Sequence, residues 1–100
     1  STSQSITGDG STSTAIEITS AVTEVNATSA AAPCTLADGA NGQIKTIINV
    51  STSGTSAITI TPSNLRGGTT VTLNAPGETA TLMFKNSNWN VIGGYGFVVA

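Results

Sequence analysis

Thr79-Ala80-Thr81-Leu82-Met83-Phe84-Lys85 carries Ala80, Leu82 and Phe84 on one side and Thr81, Met83 and Lys85 on the other. A period of two gives a single apolar face only on a β-strand, where successive side chains point to opposite sides.

The same period recurs outward in both directions. Val71 and Leu73 mark a strand in residues 69–74, and Ile58 and Ile60 point inward from one in 56–61. Residues 43–50 place Ile44, Thr46, Ile48 and Val50 on one face. Nearer the amino terminus, Ile16 and Ile18 share a face in 15–19, opposite Glu17. Residues 21–26 continue with a phase error, since Val22 and Val25 fall on opposite faces; a bulge or a bend would repair it. Residues 28–33 read as a helical turn or, favoured by Pro33 and the small residues, an extended connector. At the other end, 89–92 and 97–99 are strands separated by Gly93-Gly94-Tyr95-Gly96.

Turn chemistry separates these runs. Asp38-Gly39 and Asn41-Gly42 supply the positive φ angles of tight hairpins. Residues 51–55, 62–68, 75–77 and 86–88 are further turns or loops. About eight to ten short strands at this spacing predict an all-β fold: a compact antiparallel β-sandwich or small barrel, jelly-roll-like. No stretch predicts a long amphipathic helix, a heptad stalk or a tandem repeat of fixed period. Residues 1–14 are polar and contain glycine, and are expected to form an amino-terminal arm with a short strand around 5–7. Residues 15–100 form the single β domain.

Bulk properties narrow the function. A chain of 100 residues is one domain by default. It buries roughly 60–70% of its unfolded surface, so its core is thin and burial against neighbouring subunits is attractive. Only 8% of residues are charged and the net charge is -2, against about 25% charged in an average soluble chain. Lys45, Arg66 and Lys85 are scattered, which argues against nucleic acid and against a membrane surface. No apolar run approaches the roughly 20 residues of a membrane span. Thirty residues are Ser or Thr, and weak surface charge offers little repulsion to close-packed copies. Residues 1–20 lack the basic start and apolar core of a signal peptide, and a lone cysteine, Cys34, fits synthesis in a reducing cytoplasm.

The residues offer little catalytic chemistry. With no His there is no Ser-His-Asp or Cys-His arrangement. Asp9, Glu17, Glu24, Asp38 and Glu78 match no calcium loop, and Glu17 with Glu24 reads as two solvent-facing carboxylates rather than a glycosidase pair. The expectation is no enzyme, no cofactor and no metal. Cys34 reads as a buried structural thiol. The triplets at Asn26 and Asn49 fit the glycosylation pattern by chance. Trp89 and Phe84 are expected in the core. Tyr95, among three glycines, is expected on the surface, and Arg66-Gly67-Gly68 is an exposed basic loop suited to a partner carboxylate.

Leu36-Ala37-Asp38-Gly39 followed by Gly42-Gln43-Ile44-Lys45-Thr46-Ile47 resembles an L-x-D-G-x-x-G-x-x-K-x-I opening of virion structural proteins. It is followed by Ile58-Thr59-Ile60-Thr61-Pro62, Thr70-Val71-Thr72-Leu73, Gly77-Glu78-Thr79-Ala80-Thr81-Leu82-Met83-Phe84 and Trp89-Asn90-Val91-Ile92-Gly93-Gly94. Over residues 33–94 this order is similar to small β domains of tailed bacteriophages and other large DNA viruses, found in head decoration (cement) proteins, head fibres and tail fibres. The resemblance implies a homo-oligomer, expected to be a trimer, made in the host cytoplasm and bound to the major capsid protein on the outer surface of the head. The short chain, without a shaft, favours decoration over a fibre or receptor-binding tip. Candidate capsid or intersubunit contacts are Ser1, Gln4, Ile6 and Asp9 in the arm, with Arg66 and Tyr95 on the body.

Overall fold

The computed structural model describes residues 3–28, 30–52 and 56–100, and strands are the regular elements among them. They are β1 (Ser3–Gly8), β2 (Thr14–Ala15), β3 (Val22–Ala27), β4 (Ala32–Leu36), β5 (Ile44–Asn49), β6 (Ile58–Pro62), β7 (Val71–Leu73), β8 (Thr79–Lys85), β9 (Asn88–Tyr95) and β10 (Val98–Val99). Two five-stranded sheets form a β-sandwich. Sheet A has the order β1-β3-β5-β8-β9, and sheet B the order β10-β7-β6-β4-β2.

The chain builds this sandwich in two ways. From β1 to β6 it crosses to the opposite sheet at every step, and the strands that meet are parallel: β1 with β3, β3 with β5, β2 with β4, β4 with β6. The result is a short β-coil. Ser3 pairs with Val22 and Val22 with Thr46, an unequal spacing that leaves no fixed period in the sequence. From β7 onward every neighbour is antiparallel. The expected antiparallel pairing therefore describes the carboxyl-terminal part, and the amino-terminal part pairs parallel.

Several local readings change as a consequence. Residues 37–43 link β4 in sheet B to β5 in sheet A, so Asp38-Gly39 and Asn41-Gly42 build a crossover and not a hairpin. Gly42 takes a positive φ (86°) there, while a Cβ on Gly39 would press on the Gln43 amide and the Trp89 ring. The two-residue hairpin lies at Asn86-Ser87, both with positive φ (54° and 67°), closing β8 onto β9. Residues 3–8 of the expected arm form β1, paired along its whole length with β3. The strand expected at 15–19 shrinks to β2. β3 needs no bulge, because Thr23 and Val25 face the core and Val22 faces out. Residues 53–55 of the expected turn lie outside the described residues.

The core lies between the sheets. Val25, Ile47, Leu82 and Trp89 of sheet A meet Leu36, Ile58, Ile60, Val71 and Leu73 of sheet B, all fully buried. Trp89 and Phe84 pack edge to face, with centroids 5.3 Å apart and an interplanar angle of 73°. The indole Nε1–H donates to the carbonyl of Ala37 at 2.9 Å, which fixes the crossover before β5. β5 itself presents Lys45, Ile47 and Asn49 to the core and turns Ile44, Thr46 and Ile48 outward.

Candidate docking surface

The reversed face of β5 has a local cause. A coil that crosses between sheets leaves carbonyls and N–H groups in its crossovers, and buried ones must be paired. Lys45 reaches through the layer, and its ammonium donates to the carbonyl of Glu17 at 2.7 Å, to the carbonyl of Ser20 and to Thr23 Oγ1 at 3.1 Å. Burial pushes the ammonium's pKa below its ordinary value, and the nearby Glu17 charge opposes that shift. Asn49 does the same work further along: its amide donates to the carbonyls of Leu73 (3.0 Å) and Ser56 (3.3 Å), and its Oδ1 accepts from the Ser51 N–H at 3.0 Å. Ser51 Oγ in turn accepts from the N–H of Ala27 at 2.9 Å. Among the described residues no buried side-chain polar atom lacks a partner. Lys45 and Asn49 were invisible as core residues in the sequence because polar type alone places both in solvent.

The six residues expected to make contacts separate into different roles. Ser1 lies outside the described residues. Gln4 is a clamp: its Oε1 accepts from the Glu17 N–H at 2.8 Å and Thr23 Oγ1 at 3.0 Å. Ile6 is buried in the core. Both are used by the fold: β1 is an integral strand, and Gln4 and Ile6 stand on its inward side. Asp9 is exposed. Its carboxylate is held below the usual range by the hydroxyl and the N–H of Ser11, at 2.6 and 2.9 Å, and it borders a cleft of about 270 Å³ whose other walls include Thr7, Thr12, Thr14 and Thr28. Arg66 is exposed but tied back by Nε to Asn90 Oδ1 at 2.9 Å. Tyr95 is 70% exposed. These six do not form one patch.

Cys34 is buried, and burial pushes its thiol up to about 11. Asp38, a residue of the resemblance, accepts two bonds from the Asn64 amide, each at 3.0 Å, and is a loop fastener. Asn49 of the glycosylation triplet is buried with its amide engaged.

The surface that sequence reasoning missed is the outer face of sheet A. Register places its outward residues in rows across the strands. One row is Ile44, Met83 and Asn90. The next is Ser3, Val22, Thr46, Thr81 and Gly93. The third is Ser5, Glu24, Ile48 and Thr79, with Tyr95 donating its N–H to Thr79 Oγ1 at 3.1 Å beside it. Thr46 and Thr81 share a hydroxyl hydrogen bond at 3.1 Å. Ile44 is 47% exposed, Ile92 in the β9 bulge 52% and Val50 37%. Glu24 is charged in the third row, Lys85 continues the β8 side of the face beyond Met83, and Arg66 is bonded to Asn90 in the first row. The face mixes exposed isoleucines with hydroxyl side chains, and exposed apolar groups that cluster mark an interaction surface. Sheet B instead turns Thr35, Thr59, Thr61 and Thr72 outward.

The sequence matches no protein-family model and no curated protein.

Proposed function

We propose that this chain is a non-enzymatic capsid decoration (cement) subunit. It binds the outside of an assembled virus head through the major capsid protein, acts as a homo-oligomer, expected to be a trimer, and holds neighbouring capsid subunits together. The observation that carries this reading is the outer face of sheet A, which exposes Ile44, Ile92 and Tyr95. The resemblance of residues 33–94 to small virion β domains supplies the kind of partner. The mechanism is mass action. A subunit that binds the expanded shell and not its precursors stabilises that shell by its binding free energy, and many weakly bound copies on one lattice add up through multivalency.

The test is to mix the purified protein with undecorated capsids and measure co-sedimentation and the melting temperature of the shells. Saturable co-sedimentation with a raised melting temperature is the expected outcome. A protein that leaves both unchanged overturns the decoration role. The exposure of Tyr95 favours a second reading, a fibre or receptor-binding tip that meets a host glycan through an aromatic face. Selective glycan binding that disappears in Tyr95→Ala, without capsid binding, would establish it in place of the first.

A further inference from the structure

The chain carries five carboxylate side chains and three cationic ones. Every carboxylate is met inside the chain. Asp9 accepts from Ser11, and Asp38 from the Asn64 amide. Glu17 accepts from Ser20 Oγ, Glu24 from Ser5 Oγ, and Glu78 from the N–H of Asn74 at 2.6 Å. Among the cations, Lys45 is spent in the core. Arg66 and Lys85 are exposed, and neither meets a carboxylate among the described residues. They are far apart in sequence, and the fold brings them to one corner. Lys85 ends β8 on the outer side of sheet A and pairs with Asn88 of β9. Arg66 reaches the same corner from the loop after β6. Its Nε donates to Asn90 Oδ1 at 2.9 Å, and its Nη2 to the carbonyl of Asn86, the residue after Lys85, at 3.4 Å. These anchors use two of the guanidinium's five donors and fix its plane before any partner arrives.

We infer that this corner, Arg66 and Lys85 beside the turn at 86–88, docks an acidic segment of another protein through its Asp or Glu side chains. A carboxylate matches the planar fork of a guanidinium, and an ammonium on the adjacent strand adds a second point charge. Polyanions are a poorer match. Nucleic acid and anionic membranes are held by many clustered Lys and Arg, whereas this chain offers two exposed cations and a net charge of -2 that repels both. A second copy is a poorer match too, since each carboxylate side chain it could offer already accepts a hydrogen bond within its own chain. The corner adjoins the row of Ile44, Met83 and Asn90, so one partner can cover exposed Ile44 and pair with both cations. The inference deepens the proposed function and rests on it only in naming the capsid protein as the partner; the first arm of its test needs no capsid.

The experiment is a titration of the isotope-labelled chain with the peptide Gly-Glu-Glu-Gly, followed by nuclear magnetic resonance, with a short oligothymidylate as the polyanion. The peptide is expected to shift the signals of Arg66 and of residues 85–90 saturably, and added salt should weaken that binding. Arg66→Met combined with Lys85→Met should abolish the shifts and leave the rest of the spectrum in place. If that double variant does not fold, Lys85→Gln alone, which keeps both anchors of Arg66, should still weaken peptide binding. No saturable shift, or shifts centred elsewhere, overturns the inference. Oligothymidylate that binds the corner as tightly as the peptide overturns it in favour of a polyanion. In the second arm the double variant is mixed with undecorated capsids, and roughly tenfold weaker co-sedimentation is expected, the sum of two exposed charge pairs. Peptide binding at the corner with no capsid binding by either form supports the inference and overturns the decoration role. Capsid binding untouched by the double variant, with no peptide shifts in the wild type, overturns the inference and leaves the decoration role standing.

Discussion

Between β1 and β6 the buried residues include Ser20, Thr23, Lys45, Asn49 and Ser51; between β7 and β10 the buried ones, Val71, Leu73, Ala80, Leu82, Phe84 and Trp89, are all apolar. The contrast follows from how each half connects its strands. An antiparallel pair closes through a two-residue turn such as Asn86-Ser87, and its backbone groups are satisfied by the ladder and the turn. A parallel pair needs a crossover. In the coil every connection crosses between sheets, and backbone groups of those crossovers are met by Gln4, Gln43, Lys45 and Asn49, whereas the later half crosses only from β7 to β8 and from β9 to β10. The coil therefore carries polar side chains into its core, and the hairpin half does not. A polar core residue is the consequence of a topology, not a sign of a catalytic site.

The largest effect on this comparison is expected in the apolar half. Trp89→Ala removes a fully buried indole and leaves the Ala37 carbonyl without its donor. The expected loss is about 3–5 kcal/mol by urea unfolding. Lys45→Met tests the coil. It keeps the volume and removes the donor to the carbonyls of Glu17 and Ser20, and each carbonyl left unpaired costs about 1–3 kcal/mol, so the expected loss is close to that of a large apolar truncation. A Lys45→Met chain as stable as the wild type would mean the polar core adds nothing.

Cys34 reports how tightly the coil is closed. With its thiol raised from 9.0 to about 11, folded protein at pH 8 holds on the order of a hundredfold less thiolate than unfolded chain, and alkylation should slow by at least that factor. The sign for stability follows. Between pH 9 and 11 the unfolded chain loses this proton first, so the folded state is penalised as pH rises, and Cys34→Ala should flatten that loss. Equal labelling rates before and after unfolding would show the coil to be open. The smallest effect is expected at the edge of the coil. Gln4→Ala frees the Glu17 N–H and Thr23 Oγ1 and should cost about 1 kcal/mol, with the hydrogen-exchange change confined to β1 and the crossover that follows β2.

Much of the hairpin half, together with β6 and Cys34 of the coil, was legible in the sequence. The inward faces of β6, β7 and β8, the turn at residues 86–88, and the burial of Trp89, Phe84 and Cys34 all follow from period and residue type. The coil half was misread where its core is polar. In β5 alternation singles out Ile44 and Ile48, yet those side chains stand on the outer face. In β3 the apparent phase error between Val22 and Val25 is an inward Thr23 bonded to Lys45 and Gln4. The candidate surface was missed because alternation shows that residues share a face and not whether that face is inward or outward. Of the described expected contacts, Tyr95 lies beside it and Arg66 reaches it through Asn90.

By itself the sequence determined the strand-rich class, the positions of most strands and the scarcity of charge, because these are local or summed properties: residue type, a period of two, and turn residues with particular φ preferences. Which strands run parallel, which face of β5 is inward, and whether Asp38-Gly39 turns a hairpin or a crossover were decided only by the tertiary structure. Each depends on which strand a segment meets, and on whether distant side chains such as Lys45 can satisfy a crossover many residues away.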